Sequence, residues 1–128
     1  MNAMPAKGTG RCLCGAVRFA WTAAPLWAGH CHCDSCRRAC SAPVTSFFAV
    51  ADGAWSWTGE DPLLYVSSPG RRRYFCGTCG SPMAYQDDKQ PGETHFYAAS
   101  MDRPEEYCPT TSYHRDEKLP WLAMEDPQ

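Results

Sequence analysis

No stretch of this 128-residue sequence stays apolar for long. The longest mostly apolar segment, around Pro43 to Ala51, is interrupted by Thr45 and Ser46. It falls far short of the ~20 residues needed to cross a bilayer, so no membrane partner is expected. Met1 to Gly10 is small and polar, without a secretory apolar core, and a cytoplasmic location is expected. Excess charge is missing as well. The 12 Lys and Arg stand against 14 Asp and Glu, a formal net charge of -2, which gives no global field to attract nucleic acid or an anionic surface. Long helices are excluded by punctuation: 11 Pro and 10 Gly are scattered through the chain and leave no uninterrupted amphipathic stretch of about 10 to 12 residues.

With 44% hydrophobic residues, a chain of this length can bury one core. A single domain over 1–128 is expected, with its core at about 7–122. Short strands rich in aromatic and β-branched residues are predicted at Ala16 to Trp21, Trp27 to Cys31, Val44 to Val50, Ala54 to Thr58, Leu63 to Ser67, Arg71 to Phe75, Pro82 to Gln86 and Thr94 to Ser100. The fold class is therefore mainly β. One helical turn is predicted at Asp34 to Arg38, with Asp34 or Ser35 available as its cap. Residues 1–8 and 124–128 have little to bury and are expected to be mobile.

What the sequence does have is cysteine, nine in all. In a reducing compartment, clustered cysteines point to metal or redox chemistry, and an odd total cannot be fully paired in disulfides. Cys12-Leu13-Cys14 is a C-x-C pair, and Cys76-Gly77-Thr78-Cys79 is a C-x-x-C knuckle whose glycine-rich turn lets backbone amides face two thiolates. Together they offer four ligands, as a closed structural zinc site requires, and they would tie off the 61 residues between Cys14 and Cys76. Cys31-His32-Cys33-Asp34-Ser35-Cys36 offers three more thiolates and no obvious fourth. Three ligands leave an open position of the catalytic kind. The alternative is a tetrahedron closed by Cys40 or Cys108. Thiolate-rich sites also suit iron-sulfur clusters, but two separate groups with knuckle glycines favour two zinc ions. A thioredoxin-like disulfide at Cys76 and Cys79 lacks its βαβ context.

His30 and His32 alternate with Cys31 and Cys33, so in an extended segment imidazoles and thiols point to opposite sides. His30 is expected to be a hydrogen-bonded or packed residue, and His32 to support the metal ligands or a substrate. His95 and His114 have no local ligand partners and read as structural. Arg37 follows Cys36 directly and is the candidate for binding a substrate carboxylate; Arg71 and Arg72 read as a solvated turn. Trp27, Phe47, Phe48 and Trp55 are candidate walls.

Three segments taken together, Gly10-Arg11-Cys12-Leu13-Cys14-Gly15-Ala16-Val17-Arg18-Phe19, Cys31-His32-Cys33-Asp34-Ser35-Cys36-Arg37-Arg38 and Phe75-Cys76-Gly77-Thr78-Cys79-Gly80-Ser81-Pro82, resemble the glutathione-dependent formaldehyde-activating enzyme family, which also includes centromere protein V. The similarity runs from about Lys7 to Trp121, more loosely toward the end, and Cys40 and Ser41 depart from the pattern. The resemblance implies a β-tent of short antiparallel sheets with zinc-binding knuckles. It implies a structural zinc on Cys12, Cys14, Cys76 and Cys79 and a catalytic zinc on Cys31, Cys33 and Cys36. It further implies a carbon-sulfur lyase that joins formaldehyde or another small aldehyde to the thiol of glutathione, giving S-hydroxymethylglutathione. The alternative reading is a non-catalytic, zinc-stabilised protein-binding module.

Overall fold

The computed structural model describes residues 3–127. Ten strands run in chain order as β1 (Gly8–Arg11), β2 (Arg18–Trp21), β3 (Trp27–Cys31), β4 (Thr45–Ala51), β5 (Trp55–Trp57), β6 (Leu63–Ser68), β7 (Arg71–Phe75), β8 (Pro82–Asp87), β9 (Glu93–Tyr97) and β10 (Thr111–Tyr113), with one α-helix, α1 (Asp34–Cys40), between β3 and β4. They form a three-stranded sheet in the order β1-β2-β5 and a seven-stranded sheet in the order β10-β3-β4-β9-β8-β7-β6. Every pairing is antiparallel except that of β10 with β3. The class is mainly β, as expected.

Strand alternation gives the large sheet two different faces. On one, Ala28, Phe48, Phe96 and Ala84 stand in register across β3, β4, β9 and β8 and are buried. The small sheet packs on this row. Phe19 stacks on Phe96 with ring centres 4.4 Å apart, and Trp21 lies 4.8 Å from Phe48. This is the main core. One residue out of phase, Trp27, Ala49, His95, Tyr85 and Arg73 make a second row across five strands. That row belongs to the opposite face, where a smaller cluster of Cys31, Cys36, Phe47 and Tyr97 is buried.

Seven of the eight predicted strands agree with the structure to within two residues. The segment Thr94 to Ser100 is split, because a 3-10 turn at Ala98–Ser100 ends the strand at Tyr97. Unforeseen are β1 and β10. The sequence of β1, Gly-Thr-Gly-Arg, reads as a loop. Its glycines have a packing reason, since a Cβ on Gly10 would sit 2.3 Å from the Phe19 ring. The strand can cross the aromatic core only without a side chain there. Helix α1 is capped by Cys33, whose sulfur accepts the Cys36 N–H, rather than by Asp34 or Ser35.

The chain termini are also ordered more closely than expected. Met4 packs on the core, and the Pro5 carbonyl accepts the Trp21 indole N–H at 3.1 Å. Near the other end, Asp126 is 8% exposed and hydrogen-bonded to three side chains. Residues 1, 2 and 128 lie outside the described residues.

Gly29 is where β10 meets β3, with Thr111 directly opposite it. A Cβ there would lie 2.6 Å from both the Thr111 methyl and the Thr111 carbonyl oxygen. Overpacking of this kind typically costs about 1–3 kcal/mol. Gly29→Ala is therefore expected to lower the unfolding free energy by that amount, read as a lower urea midpoint, and an unchanged midpoint would show that β10 is not clamped on β3.

Candidate metal centres and the adjoining cavity

The first centre is built by two loops from different sheets. Cys12 and Cys14 lie between β1 and β2, where Gly15 turns the chain with φ 84°. Cys76 and Cys79 lie between β7 and β8, where Gly80 turns it with φ 80°. The four sulfurs all lie within 4.8 Å of one another, with Cys12 to Cys14 at 3.6 Å and Cys14 to Cys76 at 3.8 Å. A tetrahedral ion with metal–sulfur distances of about 2.3 Å requires sulfurs roughly 3.8 Å apart, so the donor set fits. Backbone N–H groups already face these sulfurs: Val17 donates to Cys12 at 3.3 Å, and Thr78 and Cys79 donate to Cys76 at 3.4 Å. The Ser81 hydroxyl, followed by the backbone N–H groups of Cys14 and Ser81, pulls the Cys79 thiol down to about 5. The Ala16 amide favours the Cys14 thiolate, but desolvation and the three neighbouring sulfurs override it and push that thiol up to about 11. Adjacent thiols cannot all ionise together unless a cation joins them.

The second centre sits where β3 runs into α1. Cys31 ends the strand, Cys33 caps the helix and Cys36 lies one turn into it, and their sulfurs fall within 4.8 Å of one another. Hydrogen bonds from the Cys31 and Cys36 thiols hold Cys33 far below the ordinary thiol range, while the same contacts drive Cys31 far above it. Cys36 is pushed up to about 11, because the nearby Cys33 sulfur and desolvation outweigh its hydrogen bond with Cys31. Only one thiolate is readily held without a cation. Among the described residues, neither Cys40 nor Cys108 joins either group. The Cys40 thiol is paired with the Tyr97 hydroxyl and raised by burial.

A cavity of about 430 Å³ opens beside the three cysteines. Its walls are Trp27, Phe47, Tyr85, Tyr113 and His95, with Asp34, Asp87, Glu117, His114 and Arg71 among the remaining lining residues. Trp27 and Phe47 are walls as expected. Phe48 and Trp55 instead belong to the main core.

Arg37 is not among the lining residues. Its Nε donates to the His32 carbonyl at 3.1 Å and its Nη2 lies 3.6 Å from Asp34, so the geometry gives no support to its expected role with a substrate carboxylate. It fastens the ligand loop instead. Arg71 was expected in a solvated turn but lines the cavity, paired with Asp87 at 3.3 Å. Arg72 is also in β7 and not in a turn; it is half-buried, donating to the Gln86 side-chain oxygen at 3.1 Å and to Asp88 at 2.8 Å. His30 bonds the Ser46 hydroxyl at 2.9 Å, in keeping with its expected role. His95 is more than structural filler, for it lines the cavity with its Nε2 2.6 Å from Glu93.

Sequence reasoning missed Arg73. It is 8% exposed, its Nη1 lies 3.9 Å from the Cys36 sulfur, and its guanidinium sits 4.7 Å above the Tyr85 ring. The available signal was the period of two within Arg71-Arg72-Arg73, which sends Arg73 to the face opposite Arg72.

The sequence profile of the family described as glutathione-dependent formaldehyde-activating enzyme matches residues 7–117. The chain belongs to that family. A family relative from Halomonas elongata, named a putative glutathione-dependent formaldehyde-activating enzyme, is 30% identical over 102 residues, covering 73% of this chain and 64% of the relative. An uncharacterized lyase of Schizosaccharomyces pombe is 33% identical over 84 residues, covering 64% of this chain and 61% of that protein. The matches thus span less than two thirds of these curated relatives' length. The crystal structure of a Rhodobacter sphaeroides protein shares the fold, with a TM-score of 0.62 and 24% identity over 74% of this chain and 88% of that one. Among the described residues, no helix is long and apolar enough to cross a membrane.

In this family member the ligand loop is also held from behind. His32, fully buried between Cys31 and Cys33, places its Nε2 2.7 Å from Asp126. Asp126 also accepts from the Ser112 hydroxyl at 2.6 Å and the Lys118 ammonium at 2.8 Å. His32 first, then Lys118 and Ser112, hold the Asp126 carboxyl well below its usual range. A depressed carboxyl contributes stability that is present above its unfolded value of about 3.9 and lost as pH falls toward the folded value. Asp126→Asn should therefore cost about 1–3 kcal/mol at pH 7. The gap to the wild type should shrink below about pH 4. Paired urea titrations at the two pH values check this, and a gap that widened in acid would contradict it.

Proposed function

We propose that this chain is a zinc-dependent carbon-sulfur lyase-type enzyme that joins a thiol such as glutathione to formaldehyde or another small aldehyde. In this reading residues 1–128 act as one zinc-binding domain with a core of about 7–122. Cys12, Cys14, Cys76 and Cys79 hold a structural zinc, and Cys31, Cys33 and Cys36 hold a catalytic one. The observation that carries it is the difference between the two groups: one gathers four thiols, whereas the other gathers three beside a cavity. Family membership, the lyase name of one relative and the formaldehyde-activating name of the other support the reaction class.

Zinc bound by three thiolates supplies a Lewis-acidic open position, able to stabilise a substrate thiolate or polarise an aldehyde oxygen. The chain's own groups do the rest. Arg73 sets a buried positive charge against Cys36 and limits the accumulation of negative charge among the thiolates. The cavity walls hold the two reactants together and lower the entropic cost of their encounter. In the addition a carbon–sulfur bond forms, the carbonyl π bond breaks, and the thiol proton ends on the former aldehyde oxygen, with no change of redox state. His95 is the buried titratable ring in the wall. Desolvation keeps it below its ordinary value despite Glu93, so it is neutral near pH 7 and can take up and return that proton.

The test compares two ligand variants of zinc-loaded protein. Cys33→Ser should lower thiol–aldehyde adduct formation above the uncatalysed background by at least about 100-fold. It should keep the folded circular dichroism spectrum and one bound zinc. Cys76→Ser, like chelation of both metals, should abolish cooperative unfolding. Wild-type adduct rates in folded Cys33→Ser would reject catalysis at this centre and favour the binding-module reading.

A further inference from the structure

The cavity beside the three cysteines carries information about what it accepts. Its aromatic walls form one continuous surface. Tyr113 meets Trp27 edge-on at 5.2 Å, Trp27 meets His95 edge-on at 4.8 Å, and Phe47 and Tyr85 lie 6.1 Å apart. Such a surface favours a flat apolar group.

The charged lining works against an anion. Three carboxylates, Asp34, Asp87 and Glu117, face a single guanidinium, that of Arg71. Arg71 is already committed to Asp87 at 3.3 Å. The imidazole of His114 lies 3.4 Å from Glu117 and that of His95 lies 2.6 Å from Glu93, so each has an acidic partner. Arg37 and Arg73, which bond the ligand loop, are absent from the lining. One is turned to the His32 carbonyl and the other to Cys36. Glutathione carries two carboxylates against one ammonium and is a net anion, and no uncommitted cation is available among the described lining residues to replace the hydration of its carboxylates.

We propose that the thiol this site prefers bears an uncharged aromatic side group and binds more tightly than glutathione. The proposal rests on the reading of the three-cysteine centre as a thiol-binding site. The bond changes are those of the addition already described.

The experiment is calorimetric titration of the full-length, zinc-loaded protein with benzyl mercaptan, glutathione and glutathione diethyl ester. The ester differs from glutathione in having its two carboxylates masked. Benzyl mercaptan and the ester should each bind at least about tenfold more tightly than glutathione. Tyr113→Ala, at an edge strand, should weaken benzyl mercaptan several-fold and by a larger factor than it weakens glutathione. Glu117→Gln should narrow the gap between glutathione and its ester. Glutathione binding as tightly as benzyl mercaptan and the ester would overturn this proposal alone. No binding of any thiol to protein loaded at both centres would overturn the thiol-site reading together with it.

Discussion

Seven of the nine thiols are gathered into two spaces, each less than 5 Å across its sulfurs. This is the constraint on which the rest of the structure depends. Like charges at that distance cannot all develop without a cation, so the same geometry that destabilises the empty thiolate set stabilises a metal-bound one. The fold accordingly surrounds the sulfurs with groups that favour their ionised form. Val17, Thr78 and Cys79 direct backbone N–H groups at the first centre. At the second, a helix amide bonds Cys33 and the Arg73 guanidinium faces Cys36.

The large sheet separates this chemistry from the hydrophobic core by strand alternation alone. Phe48 and Phe96 face the small sheet, and Phe47, His95 and Tyr97 face the cavity and helix side. A one-residue slip in β4 or β9 would exchange the two sets. The first metal centre then has a clear mechanical place: it joins the β1–β2 loop of the small sheet to the β7–β8 loop of the large one. It closes the main core at one end.

Most of the strands were legible in the sequence because aromatic and β-branched residues alternate between turn residues. The two cysteine groupings were legible because C-x-C and C-x-x-C spacing is a local signal. What was not legible depends on distant partners. Gly8 and Gly10 look like loop residues until the Trp21 and Phe19 rings are placed over them. Asp126 looks like tail until Ser112, Lys118 and His32 converge on it. Arg37 is the opposite case: it adjoins Cys36 in the chain, while the helix sets its guanidinium on the His32 carbonyl, a contact that spacing alone does not reveal.

Arg73 shows how the two sides of the site differ. Burying a guanidinium is costly unless a negative partner and further hydrogen bonds accompany it. Here those partners are the Cys36 sulfur, the Ser67 hydroxyl at 3.2 Å and the face of Tyr85. An isolated thiol would be a poor partner for so buried a cation, whereas a trio of thiolates around a divalent ion carries one net negative charge. The position of Arg73 is one that a negatively charged cluster would favour over three neutral thiols. With that guanidinium turned to the ligand side, the cavity lining keeps aromatic rings, three carboxylates and one guanidinium, that of Arg71, paired with Asp87. The cation beside Cys36 and the groups that line the cavity are therefore separate residues, and the Arg73 guanidinium is not among those lining the space beside the three cysteines.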